Sequence, residues 1–123
     1  MSLRPLTSLD DLSDVLARTA DRPVLLFKHS ETCGLSLQAH EEVVSALADA
    51  DWSTDVHLVS VQRSRPVSNA IAERLGVRHA SPQLLLVVDG QVQWQSSHLS
   101  ITREAMRRAV AGVASRDLSG QGV

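Results

Sequence analysis

The sequence predicts an α/β domain built on one mixed sheet, and three observations predict it. Two short aliphatic runs, Val24–Phe27 and Leu84–Val88, are bounded by turn residues, as strands covered on both faces are. Stretches with apolar residues at helical spacing lie before, between and after these runs. Asp89-Gly90 then separates the second run from a returning strand through Val92 and Trp94, a strong two-residue hairpin signal. In order, the chain reads helix, strand, helix, strand, helix, strand, strand, helix.

Each element has its own justification. Ser8 is a hydroxyl cap followed by Asp10 and Asp11 in a first helical turn, and Leu9, Leu12, Val15 and Leu16 recur at helical spacing through Arg18. Asp21-Arg22-Pro23 breaks that pattern ahead of the first strand. A second helix is expected over Cys33–Ala50, with Leu37, Val44 and Ala48 on its inner face, Val43 and Leu47 beside them, and Gln38, Glu41, Glu42 and Asp49 toward water. Residues 51–55 read as a loop, and Val56–Val61 alternates and is β-branched, so it reads as a strand. Strand, helix, strand implies a right-handed parallel crossover. Arg63 and Arg65 are expected in a solvated turn. Pro66 suits a first helical position, Val67, Ala70, Ile71 and Leu75 form an apolar face, and Gly76 suits the cap beyond its end. Thr102 caps a last helix through Ala114, with Ile101, Ala105, Met106, Ala109, Val110 and Val113 inward. The expected organisation is one domain over residues 1–115 and a frayed tail over 116–123.

Composition narrows the function. The chain has 123 residues and a formal charge of −2, which gives no reason to expect nucleic acid or an acidic membrane as partner. Phe27, Trp52 and Trp94 are the only aromatic residues, so the core must be aliphatic. A single cysteine excludes an intramolecular disulfide and a four-cysteine zinc site. No run approaches the roughly 20 apolar residues of a membrane span, and Arg4, Asp10, Asp11 and Asp14 leave no hydrophobic middle for a signal peptide. These features predict a soluble, cytoplasmic protein, a monomer or weak dimer, with no tightly bound cofactor.

The chemistry is concentrated at Cys33, where the first strand ends in a short polar turn and a helix begins. A sulfur there faces unpaired backbone N–H groups and the positive end of the helix dipole, and both favour thiolate over thiol. Glu31 opposes this with a nearby negative charge. Ser36 stands one helical turn on, where a dithiol enzyme would carry a second cysteine. It cannot resolve a mixed disulfide, but its hydroxyl can donate to the thiolate. Lys28 and His29 precede the turn and can neutralise a thiolate or a substrate carboxylate, although strand alternation sends them to opposite faces. His29 with Cys33 supplies only two ligands, too few for a zinc site, so no metal is expected. Arg78 and His79 lie on the loop before Ser81-Pro82 and can bind an acidic small thiol. His40, His57 and His98 have no evident companions.

Phe27-Lys28-His29-Ser30, Thr32-Cys33-x-x-Ser36 and Ser81-Pro82 together resemble the monothiol bacilliredoxins of the YtxJ type, within the thioredoxin-like superfamily. The family usually has Pro-Ile after the cysteine, where this chain has Gly34-Leu35. The resemblance covers residues 8–114 and implies a thioredoxin-like four-stranded sheet, ordered 2-1-3-4 over the four predicted strands, with the last strand antiparallel to the third and an extra N-terminal helix. It implies a cis bond at Pro82 and a Ser81 backbone exposed beside Cys33 for strand-like pairing with substrate. It makes Cys33 the nucleophile, supported by Thr32, Ser36, Lys28 and His29. It assigns substrate binding to Ser81, Pro82, Arg78 and His79. It further implies S-thiolated proteins as partners, bacillithiol as co-substrate, and a role in redox homeostasis under stress. Cys-Gly-Leu-Ser is also close to the Cys-Gly-Phe-Ser of monothiol glutaredoxins, which share a [2Fe–2S] cluster between subunits. However, Ala80-Ser81-Pro82 stands where those proteins have Thr-Val-Pro, and their Gly-Gly-x-Asp signature is lacking. A non-catalytic, protein-binding module of the same fold is the third reading.

Overall fold

A computed structural model describes the backbone of residues 1–121 and the side chains of residues 1–113. Its elements are β1 (Arg4–Pro5), α1 (Leu9–Arg18), β2 (Val24–His29), α2 (Gly34–Leu47), β3 (Asp55–Ser60), α3 (Arg65–Leu75), β4 (Gln83–Val88), β5 (Gln91–Ser97) and α4 (Arg103–Gln121), with a short 3-10 turn at His98–Ser100. The sheet order is β1-β3-β2-β4-β5. β3 is parallel to β1 and β2, whereas β4 is antiparallel to both β2 and β5. The expected order of the four longer strands is present, within a thioredoxin-like α/β fold.

The sheet has five strands rather than the expected four. β1 pairs Arg4 with His57 and Pro5 with Leu58. Two residues are too few to show alternation, and proline demotes a run to edge position because it has no N–H to donate. What holds β1 down is the next residue, Leu6, which is buried and donates its N–H to Leu58 O at 2.8 Å.

Alternation along β2 and β4 divides the core. Leu25, Phe27, Leu84 and Leu86 pack beneath α2 and α4 with Val43 and Met106. Val24, Leu26, Leu85 and Val87 pack beneath α1 and α3 with Leu12, Val15, Val67 and Ile71. Burial of such a side chain is worth about 1.5–3 kcal/mol, so this double-sided strand pair is the main source of stability. Trp52, expected in a loop, is buried in the first cluster, its indole N–H donating to Thr54 O at 2.7 Å.

The ends form as their residues dictate. Ser8 Oγ accepts from Asp11 N–H at 3.1 Å to cap α1, and Thr102 Oγ1 accepts from Ala105 N–H at 3.1 Å to cap α4. Gly76 ends α3 at φ 65°. The Asp89-Gly90 hairpin turn has φ 52° and 75°, the left-handed pair that a two-residue turn of this kind requires. Thr19, beyond α1, clasps that turn: its Oγ1 accepts from Gly90 N–H at 2.8 Å and its carbonyl from Asp89 N–H at 2.7 Å.

Two expectations about the helices also fail. The inner face of α2 is Ser36, Ala39, Val43, Ala46 and Leu47; Leu37 and Val44 are 60% and 44% exposed, and Ala48 is also exposed. Apolar residues occupy both sides of this helix, so hydrophobic spacing cannot choose between them. Ser36 fixes the rotation, being buried against the strand end below. The last helix also continues past Ala114, through Gly120, to Gln121. Residues 116–121 of the tail fall within that helical backbone, and residues 122 and 123 lie outside the described residues. Among the described residues no helix is long and apolar enough to cross a membrane.

Candidate active site

Three connections meet at one end of the sheet. The parallel register pairs His29 with Ser60, and the antiparallel register pairs Lys28 with Gln83. The turn after β2, the connection after β3 and the loop entering β4 therefore lie side by side. Val61 N–H donating to His29 O at 2.9 Å extends the ladder past the strand ends.

Cys33 is the N-cap residue of α2, extended at φ −106° and ψ 126°, and half-exposed. Its sulfur makes no capping hydrogen bond of standard length. Even so, the N–H groups of Ser36 and Leu35 hold the thiol's pKa below its ordinary value, burial pushes it up, and the Ser36 hydroxyl adds to the lowering. This is the expected helix-start effect, in a turn whose Ser36 N–H also donates to Cys33 O at 3.1 Å. Ser36 is fully buried, and its Oγ also accepts from Ser30 N–H at 3.1 Å, which ties the first turn of α2 to the end of β2. Gly34 has open space where a Cβ would stand, so no neighbour dictates glycine there.

The two residues before the turn separate as alternation requires. His29 lies on the α2 side, its ring 5.9 Å from Phe27 and 5.5 Å from His40. Burial, then the neighbouring His40, lower the His29 pKa, against Glu31, which raises it. His40, expected to have no companion, thus has two. Lys28 points to the α1–α3 side with no accessible surface, and its ammonium lacks a hydrogen-bond partner. Burial lowers its pKa to about 8. Lys28 and the start of α2 are on opposite faces of the sheet.

Ser81-Pro82 is a cis peptide bond. Pro82 O accepts from His98 N–H at 3.2 Å, which attaches the 3-10 turn to this loop. Ser81 Oγ is buried without a partner. Arg78 and His79 are exposed nearby, with Arg78 O accepting from Gln83 Nε2 at 3.0 Å. Burial lowers the His79 pKa, and the positive charges of Lys28 and Arg65 add to that effect. Thr32 is exposed, its Oγ1 3.3 Å from Gln62 Nε2.

Sequence reasoning gives no role to Ser60 or Gln62, takes Ser30 only as part of a motif and puts Arg63 and Arg65 in a solvated turn; Ser30, Ser60, Gln62 and Arg63 all bond around the turn before Cys33, and Arg65 begins α3. Gln62 and Arg63 lie some thirty residues from that turn, and no local pattern marks a polar residue that folds back on another loop. Among the described residues no group of three or more His, Cys, Asp or Glu is placed to hold a metal ion.

Comparison with known proteins agrees with this geometry. The model of a family described as "Monothiol bacilliredoxin BrxC" matches residues 4–106. A solved structure described as a candidate oxidoreductase with a thioredoxin fold is 31% identical, with a TM-score of 0.77 over 87% of this chain and 92% of that one. The thioredoxin of Fasciola hepatica is 17% identical, with a TM-score of 0.70 over 89% of this chain and 97% of that one. Oxidised mitochondrial thioredoxin 3 of Saccharomyces cerevisiae is 14% identical, with a TM-score of 0.68 over 89% and 94% of the two chains. The last two share the fold alone.

Proposed function

The chain belongs to the monothiol bacilliredoxin family of thioredoxin-like oxidoreductases, and on that premise we propose that Cys33 strips bacillithiol from S-thiolated proteins. The observation that carries the reading is a lone, half-exposed cysteine capping α2, with Ser36 where an internal resolving thiol would stand.

In the proposed reaction the Cys33 thiolate attacks the small-thiol sulfur of a protein–bacillithiol disulfide. A new Cys33–bacillithiol S–S bond forms and the old S–S bond breaks. The protein leaves as a thiolate that takes a proton from water. A second bacillithiol thiolate then attacks the adduct's small-thiol sulfur, releasing oxidised bacillithiol and the Cys33 thiolate. Electrons balance because the second small thiol is the reductant. The N–H groups of Ser36 and Leu35 and the Ser36 hydroxyl stabilise the sulfur as attacker in the first step and as leaving group in the second.

Substrate is read from the other side of the turn. Ser81, joined to Pro82 by the cis bond, supplies backbone for an extended peptide, and Thr32 and His29 belong to the strand end and turn that lead into Cys33. Arg78, Arg65 and the buried Lys28 form a positive field suited to an acidic small thiol, and His79, whose pKa burial and that field lower, stands beside it as a neutral hydrogen-bonding group. Among the described residues, no ion pair joins Arg65 or Arg78 to a carboxylate, so neither guanidinium is neutralised. The site is expected to act in the cytoplasm, in redox homeostasis under stress.

Mass spectrometry of Cys33 after exposure to oxidised bacillithiol or oxidised glutathione tests the reading. The expected result is a faster, larger adduct with bacillithiol. No adduct with either removes the enzymatic function, and a preference for glutathione removes bacillithiol as co-substrate.

A further inference from the structure

Gln62, in the connection between β3 and α3, bonds to each of the three residues that precede Cys33. Its Nε2 donates to Ser30 Oγ at 2.6 Å and to Thr32 Oγ1 at 3.3 Å, and its Oε1 accepts from Glu31 N–H at 3.1 Å. The next residue, Arg63, places its Nε 3.0 Å from Glu31 Oε1. Ser60 Oγ donates to that same oxygen at 3.3 Å and accepts from Arg63 N–H at 3.2 Å.

This arrangement bears on the sulfur in two ways. Cys33 can only be acidified by N–H groups it points at, and its direction is set by the turn that delivers it. The turn's own tie, Cys33 N–H to Ser30 O, is long at 3.4 Å, and Gly34 brings no side chain to pack on the other side. An external anchor on residues 30–32 makes good that weakness. Separately, Glu31 carries a carboxylate two residues from the sulfur, and a like charge nearby disfavours the thiolate.

We propose that Gln62 and Arg63 are positioning residues for Cys33: Gln62 fixes the turn from which the sulfur projects, and Arg63 cancels the Glu31 charge that opposes the thiolate. The proposal rests on Cys33 being the reacting thiolate. The bland alternative is ordinary surface bonding, since an exposed ion pair contributes little to stability. Its influence on a neighbouring titration is a separate quantity, about 0.3–0.5 pH unit for an unscreened charge roughly 6–10 Å away in water, and less in salt.

The test is the rate of Cys33 carbamidomethylation by iodoacetamide across pH, on the full chain. Arg63→Ala is expected to move the midpoint up by about 0.3–0.5 unit, Arg63→Lys to restore it, and the double variant Glu31→Gln/Arg63→Ala to restore it as well. Gln62→Ala is expected to slow the reaction at neutral pH about 3–10-fold with an unchanged melting temperature, the size of effect expected when a reacting group is loosely held. Superimposed profiles for wild type, Arg63→Ala and Gln62→Ala would overturn the proposal. A shift that persists in the double variant would overturn the charge-cancelling role of Arg63. Iodoacetamide reads only the thiolate, so failure of Cys33 to accept a small thiol would sink the proposed function and leave these shifts as they are.

Discussion

The two ends of α2 treat their polar groups in opposite ways. At the end of the sheet where α2 begins, a few buried polar atoms are left without partners: Lys28 Nζ and Gln83 Oε1 at the strand ends and Ser81 Oγ in the loop before Pro82. At the far end the charges are matched. Asp49 and Asp51 follow α2, where the helix dipole makes carboxylates unwelcome. Arg103 and Arg107 reach across from α4 to them, with contacts of 2.6 Å and 2.7 Å to Asp49 and 3.0 Å to Asp51. Here α4 supplies the cations that the last turn of α2 lacks. One end is built to stay folded by matched charge, and the other gathers strand ends and loops around the Cys33 turn while leaving these few polar atoms unsatisfied.

The largest effect expected is on chemistry alone. Cys33→Ser should abolish the adduct and any small-thiol removal, read by mass spectrometry, while the melting temperature stays within a degree or two of wild type. A large fall in melting temperature would break the comparison, because it would make the sulfur part of the structural core.

Next in size is Lys28→Met. A buried lysine whose pKa falls from 10.5 to about 8 disfavours folding when protonated. The folded state's penalty is full below about pH 8 and fades as pH rises from there toward 10.5, where the unfolded chain also loses its proton. At pH 7 the substitution should therefore stabilise by about 1–3 kcal/mol, a gain of several degrees in melting temperature. That gain should shrink above pH 8. If Lys28 contributes to the field that attracts an acidic thiol, adduct formation slows in the same variant. Thermal melts across pH together with adduct kinetics check both.

Much of the fold is legible in the sequence, and the reasons are local. Val24–Phe27 and Leu84–Val88 announce buried strands, Asp89-Gly90 announces its hairpin, and Ser8, Gly76 and Thr102 mark helix ends. Cys33 shows through because its neighbours place it at a strand-to-helix turn. The illegible parts depend on distant partners. β1 is two residues whose only reason to exist is β3. The rotation of α2 is decided by Ser36 meeting Ser30 N–H, not by Leu37 or Val44. His29 meeting His40, and Gln62 meeting the turn, are encounters that only the folded sheet arranges.

The far end of α2 supplies the third effect. Arg107→Ala removes bonds to both Asp49 and Asp51. The hydrogen bond from Arg103 is the chief cause lowering the Asp49 pKa, and that from Arg107 is the chief cause lowering the Asp51 pKa. Carboxylates depressed below 3.8 stabilise the fold above that pH and lose the contribution as pH falls through their folded values. The variant should melt a few degrees below wild type at pH 7, with the gap closing in strong acid, and its Cys33 alkylation rate should not change. A slower alkylation would mean that the two ends are coupled through α2.

The smallest effect is the sharpest test of what acidifies the sulfur. Ser36→Ala deletes the hydroxyl, the least of the influences lowering the Cys33 pKa, and leaves the Ser36 and Leu35 N–H groups in place. The alkylation midpoint should rise by only a few tenths of a unit, since a neutral donor at a partly solvated sulfur is worth little beside the helix start. The fold should lose about 1 kcal/mol, because Ser30 N–H no longer has its acceptor. A thiol lowered in the folded state stabilises it at pH above the unfolded value near 9.0 and ceases to do so as pH falls through the folded value. Relative to Cys33→Ser, the reduced wild type should therefore gain stability as pH rises through that interval, and Ser36→Ala should narrow the interval without closing it. A midpoint moved by a full unit or more would shift the credit from the backbone of α2 to one hydroxyl.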